Sequence, residues 1–133
     1  MAAINGGRVR AARAPLRRAL ERTADPARAG AIEASLAYVE AETGNRETAM
    51  ALCESALARP GLSDETRGTL LSQHALLVML TGRTAQAIAE LDAAIAVLAD
   101  FPLLLGRALG NRGNALLQRN ELAGARNDFE QAV

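Results

Sequence analysis

The chain has 133 residues, a length typical of one domain, and half of them are hydrophobic. No apolar run reaches the roughly 18 residues that a membrane span needs, and no continuous apolar stretch near the N-terminus indicates a secretory signal. The single cysteine, Cys53, excludes an internal disulfide framework and fits a reducing compartment, so we expect a cytoplasmic protein.

The formal net charge is zero, but the basic residues are unevenly placed. All 15 are arginine, and the first 28 residues hold seven of them: Arg8, Arg10, Arg13, Arg17, Arg18, Arg22 and Arg28. This arm would suit nucleic acid, an acidic protein surface or another part of a longer chain. It also resembles an organellar transit peptide, although repeat-like positions within it argue against removal. Because no aromatics are interleaved for base stacking, we favour a solvated helix face and consider nucleic acid the poorer alternative.

Helix punctuation predicts about seven helices and no strand. The first is expected at 8–23, where Pro15 produces either a kink or a junction of two short helices. Asp25 and Pro26 form a helix start, and Gly44 suits a left-handed helix end. The following helices are expected at about 26–43, 46–58, 64–80, 84–98, 102–119 and 121–133.

A short pattern recurs in the second helix of each predicted pair. It has a glycine or asparagine, an alanine five residues on, an apolar residue four after that, and an alanine three further. The copies are Gly44, Ala49, Cys53, Ala56; Gly82, Ala87, Leu91, Ala94; Asn120, Ala125, Phe129, Ala132; and, more faintly, Gly7, Ala12, Leu16, Ala19. Since Gly44 and Gly82 lie 38 residues apart, the period predicts stacked helix pairs at 26–58, 63–98 and 102–133 after a half repeat at 1–23.

These second-helix positions resemble the tetratricopeptide repeat, and Asn111 to Leu116, with the small residue Gly113, resembles its first helix. The period here is longer than the family's usual value of about 34 residues. In addition, His74 and Arg112 stand where the family commonly has leucine, and Asn120 replaces the turn glycine. The resemblance covers about 30–133 and implies an all-α, right-handed α-α superhelix, a single tetratricopeptide-like domain over 1–133 with about three helix-pair repeats.

A weaker resemblance concerns the stretches at 111–113 and 120–132. They are similar to repeat regions of large actinobacterial proteins, among them bacterial proteins with a CHAT peptidase domain and multidomain transcriptional regulators. The chain begins within the second half of a repeat and stops at Val133 without a polar capping helix, so we expect a fragment of a longer protein. We also expect weak self-association through a terminal helix, most of all through 121–133.

The tetratricopeptide resemblance implies that the first helices line a concave face and bind a peptide or a partner domain there. Asn114 would donate to and accept from a peptide backbone, and Arg107 would pair with a carboxylate. The candidate groove residues are Ala34, Tyr38, Glu42, Thr69, Ser72, Gln73, Leu76, Met79, Arg107, Asn111, Asn114 and Gln118. Alternatively, they are solvated helix residues of a purely structural or oligomerisation spacer.

Catalysis and metal binding find little support in the residues present. Cys53 and His74 are the only cysteine and histidine, and such a pair can supply a nucleophile. Cys53, however, occupies the packing position of Leu91 and Phe129. One histidine and one cysteine cannot supply the four ligands of a structural zinc site. We therefore expect no enzyme, no catalytic residues, no metal and no cofactor.

Overall fold

The computed structural model describes the backbone of residues 2–133 and the side chains from residue 7 onward. Within this range every regular element is an α-helix, which confirms the predicted all-α class. The helices are α1 (Ala2–Ala11), α2 (Arg13–Arg22), α3 (Pro26–Glu42), α4 (Arg46–Leu57), α5 (Asp64–Leu80), α6 (Thr84–Val97), α7 (Pro102–Gln118) and α8 (Leu122–Ala132). From α3 onward, the bounds agree with the predicted ones to within one or two residues.

The described range has one helix more than expected, because two helices occupy the region of the predicted first helix at 8–23, and the first of them begins earlier than predicted, at Ala2. A proline lacks the N–H that would bond the carbonyl four residues earlier, so Pro15 leaves that of Ala11 without its helical partner. The chain breaks at Ala12, whose N–H bonds Val9 O at 3.1 Å in a tighter turn. Pro15 then lies in the first turn of α2, where a missing N–H costs nothing.

Side-chain caps open two of the helices, the first of them as predicted. The Asp25 carboxylate accepts the N–H of Ala27 at 3.3 Å, with Pro26 at the first helical position. Ser63 Oγ accepts the N–H of Thr66 at 3.1 Å before α5. Each cap satisfies a backbone donor that the first turn of a helix leaves free, and so each sets where its helix begins.

The same left-handed turn closes each first helix. Gly44 and Gly82 have φ of 88°, and Asn120 has φ of 58°. In each turn the next residue donates its N–H back across the helix end: Asn45 to Glu40 O at 2.8 Å, Arg83 to Val78 O at 3.3 Å, and Glu121 to Leu116 O at 2.8 Å. Asparagine tolerates this backbone conformation better than most residues, so its replacement of the turn glycine keeps the geometry.

The chain divides into two compact units, Met1–Thr66 and Arg67–Val133. In the first unit α3 packs on α4, and α1 and α2 lie against α3. In the second unit α5 pairs with α6, and α7 packs on both α6 and α8. The fully buried large side chains are Leu36 and Cys53 in the first unit and Leu70, Val78, Leu91, Leu98 and Asp128 in the second.

Two glycines at equivalent positions let the segment after each second helix cross the start of the first helix. A Cβ on Gly30 would clash with the Leu62 side chain, and a Cβ on Gly68 would clash with three atoms of Leu98. Both leucines follow the second helix of their own pair. Each glycine therefore fixes how closely its hairpin folds back on itself.

At one pair of facing positions, a small residue on the first helix accompanies a larger residue on the second helix. A Cβ on Gly113 would lie 2.6 Å from the Phe129 ring, so the glycine makes room for the aromatic side chain. The positions equivalent to this pair hold Ala75 with Leu91 and Ala37 with Cys53, all buried. The first-helix residue is thus smallest where the second-helix residue is largest, and Cys53 occupies a packing position.

Candidate binding surface

Equivalent positions of the three first helices are exposed. Tyr38 on α3 is 48% exposed, Leu76 on α5 is 37% exposed, and Asn114 on α7 is also exposed. These residues lie 38 apart in sequence and were all predicted to line the groove. Leu76 and Asn114 belong to the second unit, which carries most of the predicted binding residues.

Within the second unit, a hydrogen bond joins the two first helices α5 and α7. Asn111 Nδ2 donates to the buried Ser72 Oγ at 3.1 Å. Gln118, at the end of α7, accepts the hydroxyl proton of Thr84 at 3.0 Å. The side chains of Asn111 and Gln118 therefore hold the unit together, and only their remaining polar atoms are available to a ligand.

Arg107 and Asn114 flank Asn111 on α7 and are the free polar groups of this face. Both are exposed, and neither makes a hydrogen bond or ion pair with any residue whose side chain the structure describes. They lie seven residues apart, which corresponds to roughly 10 Å along a helix. An extended peptide covers that distance in about three residues.

The α5 side of this surface is more apolar than predicted. Leu76 and Leu80 are exposed and lie one helical turn apart, whereas Gln73 is half-buried. Met79, predicted as a groove residue, is only 5% exposed and packs in the core beside Val78. Its burial follows from the wide apolar arc of α5, which the spacing of apolar residues alone did not delimit.

In the second unit, an arginine–aspartate ion pair and a histidine–glutamate hydrogen bond each join the two helices of a pair. Arg112 donates to both oxygens of Asp128 at 2.8 Å and to Asp92 at 3.0 Å, and these bonds raise the pKa of Arg112 above its ordinary value. His74 Nδ1 lies 2.5 Å from Glu90 Oε1. Sequence reasoning noted that His74 and Arg112 stood at leucine positions but missed their partners, each 16 residues further on.

Each of these contacts joins the two helices of its pair, and all four side chains are largely buried. Asp128 is buried beneath Arg112, and His74 is buried against Glu90. Cys53 is fully buried in the other unit, where it packs as a small apolar residue. Among the residues whose side chains are described, no three acids, histidines or cysteines are grouped so as to hold a metal ion.

Two buried glutamates of the first unit also have arginine partners. Glu33 accepts from Arg59 and from Ser55 Oγ, the latter at 2.7 Å. Arg13 donates to Glu40 at 2.5 Å and to Thr43 Oγ1 at 2.9 Å. Arg13 therefore anchors α2 to α3.

The remaining α2 arginines lie on the surface. Arg17, Arg18 and Arg22 are exposed, and α2 contains no aromatic residue. None of the helices described in the structure combines the length and apolar character needed to cross a bilayer.

Comparison with protein-family models gave no match, and comparison with curated proteins and with solved structures gave no significant one. The resemblance to tetratricopeptide repeats therefore depends on the residues of this chain.

Proposed function

We propose that the chain is a tetratricopeptide-like scaffold whose hairpins stack into a right-handed superhelix and whose first helices bind an extended segment of a partner protein. It would serve as the recognition or regulatory arm of a larger protein. The observation that carries this proposal is the exposed, unpaired Arg107 and Asn114 on α7, in the same unit as the exposed Leu76 and Leu80 of α5. Exposed polar groups that lack internal partners, together with exposed apolar side chains, are typical of a surface that binds a peptide.

The chemistry of this surface favours an acidic peptide. The Asn114 carboxamide donates and accepts at once, which matches the alternating groups of a peptide backbone. Arg107 offers a guanidinium, and α7 contains no acidic residue that would compete for it. Leu76 and Leu80 can contact an apolar side chain of the bound peptide that lies between its polar side chains.

Selection from a random-peptide display library tests the proposal. We expect enrichment of peptides that carry an acidic residue. Asn114→Ala and Arg107→Ala should each weaken binding of the selected peptides about tenfold. This factor corresponds to the loss of one hydrogen bond or charge pair. Arg46→Ala and Asn127→Ala replace the same residue types at exposed positions of α4 and α8 and should leave affinity unchanged. Absence of enrichment, or equal binding by all four variants, would favour a spacer whose groove holds nothing.

Nucleic-acid contact through α2 has less support, since only the exposed Arg17, Arg18 and Arg22 favour it. Its test must leave Arg13 in place, because Arg13 anchors α2. Retention on DNA or RNA that falls steeply with salt and is lost in Arg17→Ala/Arg18→Ala would establish this contact.

A further inference from the structure

The outward face of α8 forms one side of a shallow groove of about 410 Å³, which Leu117 of α7 completes. Leu122, at the start of this face, is 61% exposed, and Leu117 is also exposed. We call the α8 residues of the groove the α8 stripe: Leu122, Arg126, Phe129, Glu130 and Val133. Their spacing of i, i+4, i+7, i+8 and i+11 places them on one side of a helix, as in helices that pack on another helix.

The α8 stripe carries one positive and one negative charge, a helical turn apart. Arg126 Nε lies 3.1 Å from Glu130 Oε1, and the two side chains are 83% and 65% exposed. An ion pair this exposed contributes little to stability, so its members can change partners at small cost. If a second α8 lay antiparallel on the first, Arg126 of each copy would face Glu130 of the other.

We propose that the α8 stripe binds the α8 stripe of a second copy of this chain around a two-fold axis. A two-fold interface needs a self-complementary surface, and a stripe with one cation and one anion has that property. Leu122, Phe129 and Leu117 supply the apolar area that the contact would cover. Because a single-helix contact falls short of the roughly 1,000 Å² of most stable interfaces, the dimer should be weak. The proposal does not depend on peptide binding by the first helices.

Sedimentation velocity over a wide concentration range tests the dimer. The mass of the unaltered chain should rise from 13.9 kDa toward twice that value as concentration increases. Arg126→Glu and Glu130→Arg each give the stripe charges of one sign, so each should weaken the dimer about tenfold. Mixing these two variants should restore association, as should the double exchange Arg126→Glu/Glu130→Arg, because both arrangements place opposite charges face to face.

Two further variants test whether association depends on the α8 stripe itself. Arg46→Glu changes the net charge as Arg126→Glu does, but at an exposed position of α4, and should leave the dimer intact. Leu122→Ser should abolish dimerisation without loss of the helical circular dichroism signal, since the side chain is mostly exposed. A monomer at every concentration, or association that persists in both charge variants and in Leu122→Ser, would overturn the proposal.

Discussion

Two equivalent repeat positions, one on each helix of a pair, hold different residue types in the two units. In α3 and α4 the positions hold Leu36 and Leu52, and the equivalent residues in the second unit are His74 with Glu90 and Arg112 with Asp128. Both members change together in each case. The two positions therefore require groups that satisfy each other, and either an apolar pair or a hydrogen-bonded polar pair meets that requirement.

The buried ion pairs of the first unit lie elsewhere in the repeat. Glu33 and Glu40 on α3 correspond to leucine and valine positions in the second unit, Leu71 and Val78. Their partners, Arg59 and Arg13, lie outside α3, so these bonds attach neighbouring segments to the hairpin. The second unit instead places its charges between the two helices of each pair. The backbone pattern is shared, while the placement of charge differs between the units.

The largest expected effect comes from breaking the Arg112–Asp128 pair. Arg112→Leu leaves the buried Asp128 carboxylate without a partner and should lower the free energy of unfolding by about 3–5 kcal/mol. The double variant Arg112→Leu/Asp128→Leu reproduces the apolar pair of the first unit and should recover most of that loss. Urea unfolding followed by circular dichroism measures both. A double variant no more stable than the single one would show that the two solutions are not interchangeable.

The His74–Glu90 pair should respond in the same direction but less strongly. Glu90→Leu leaves His74 Nδ1 buried without its carboxylate, at a cost of about 2–3 kcal/mol. Histidine can remain neutral, so this penalty is smaller than that of an unpaired carboxylate. His74→Leu/Glu90→Leu should be more stable than Glu90→Leu in urea unfolding. If the double variant is the less stable, histidine has a packing role that leucine cannot supply.

Gly68→Ala tests the close approach shared by both units. The added methyl group would clash with Leu98, and we expect a loss of about 1–2 kcal/mol in the free energy of unfolding. Gly110→Ala is the matched control on α7, because nothing lies within 4 Å of its Cβ position. There the alanine should stabilise the helix by up to about 1 kcal/mol. Equal melting temperatures for the two variants would contradict the assigned role of Gly68.

The smallest effect concerns the turn after the first helix of each pair, where the third pair has Asn120 and the other two have glycine. Asn120→Gly restores the residue found at Gly44 and Gly82 and should raise the free energy of unfolding by about 0.5 kcal/mol, since glycine adopts positive φ without strain. Asn127→Gly, within α8, should instead lower stability because glycine is a poor helix former. A gain for Asn127→Gly or a loss for Asn120→Gly in thermal melts would contradict the role assigned to the turn residue.

The candidate site was predictable in part. The exposure of Tyr38, Leu76 and Asn114 follows from their shared position in the repeat, because the helical period places them opposite the apolar stripe. The burial of Met79 and the bond from Asn111 to Ser72 depend on how far α5 is covered and how close α7 lies. Neither quantity is encoded in the period of one helix.

The sequence by itself determined the helices of this protein from α3 onward, because their beginnings and ends depend on local chemistry. The Asp25 cap and the left-handed turns at Gly44 and Gly82 involve neighbours within a few residues. The tertiary structure alone decided the partners of the buried charges. Arg13 reaches Glu40 across 27 residues, and Arg112 reaches Asp128 across 16, through packing that no local rule specifies. These long-range pairs arise because a buried charge requires a partner wherever the fold brings one within reach.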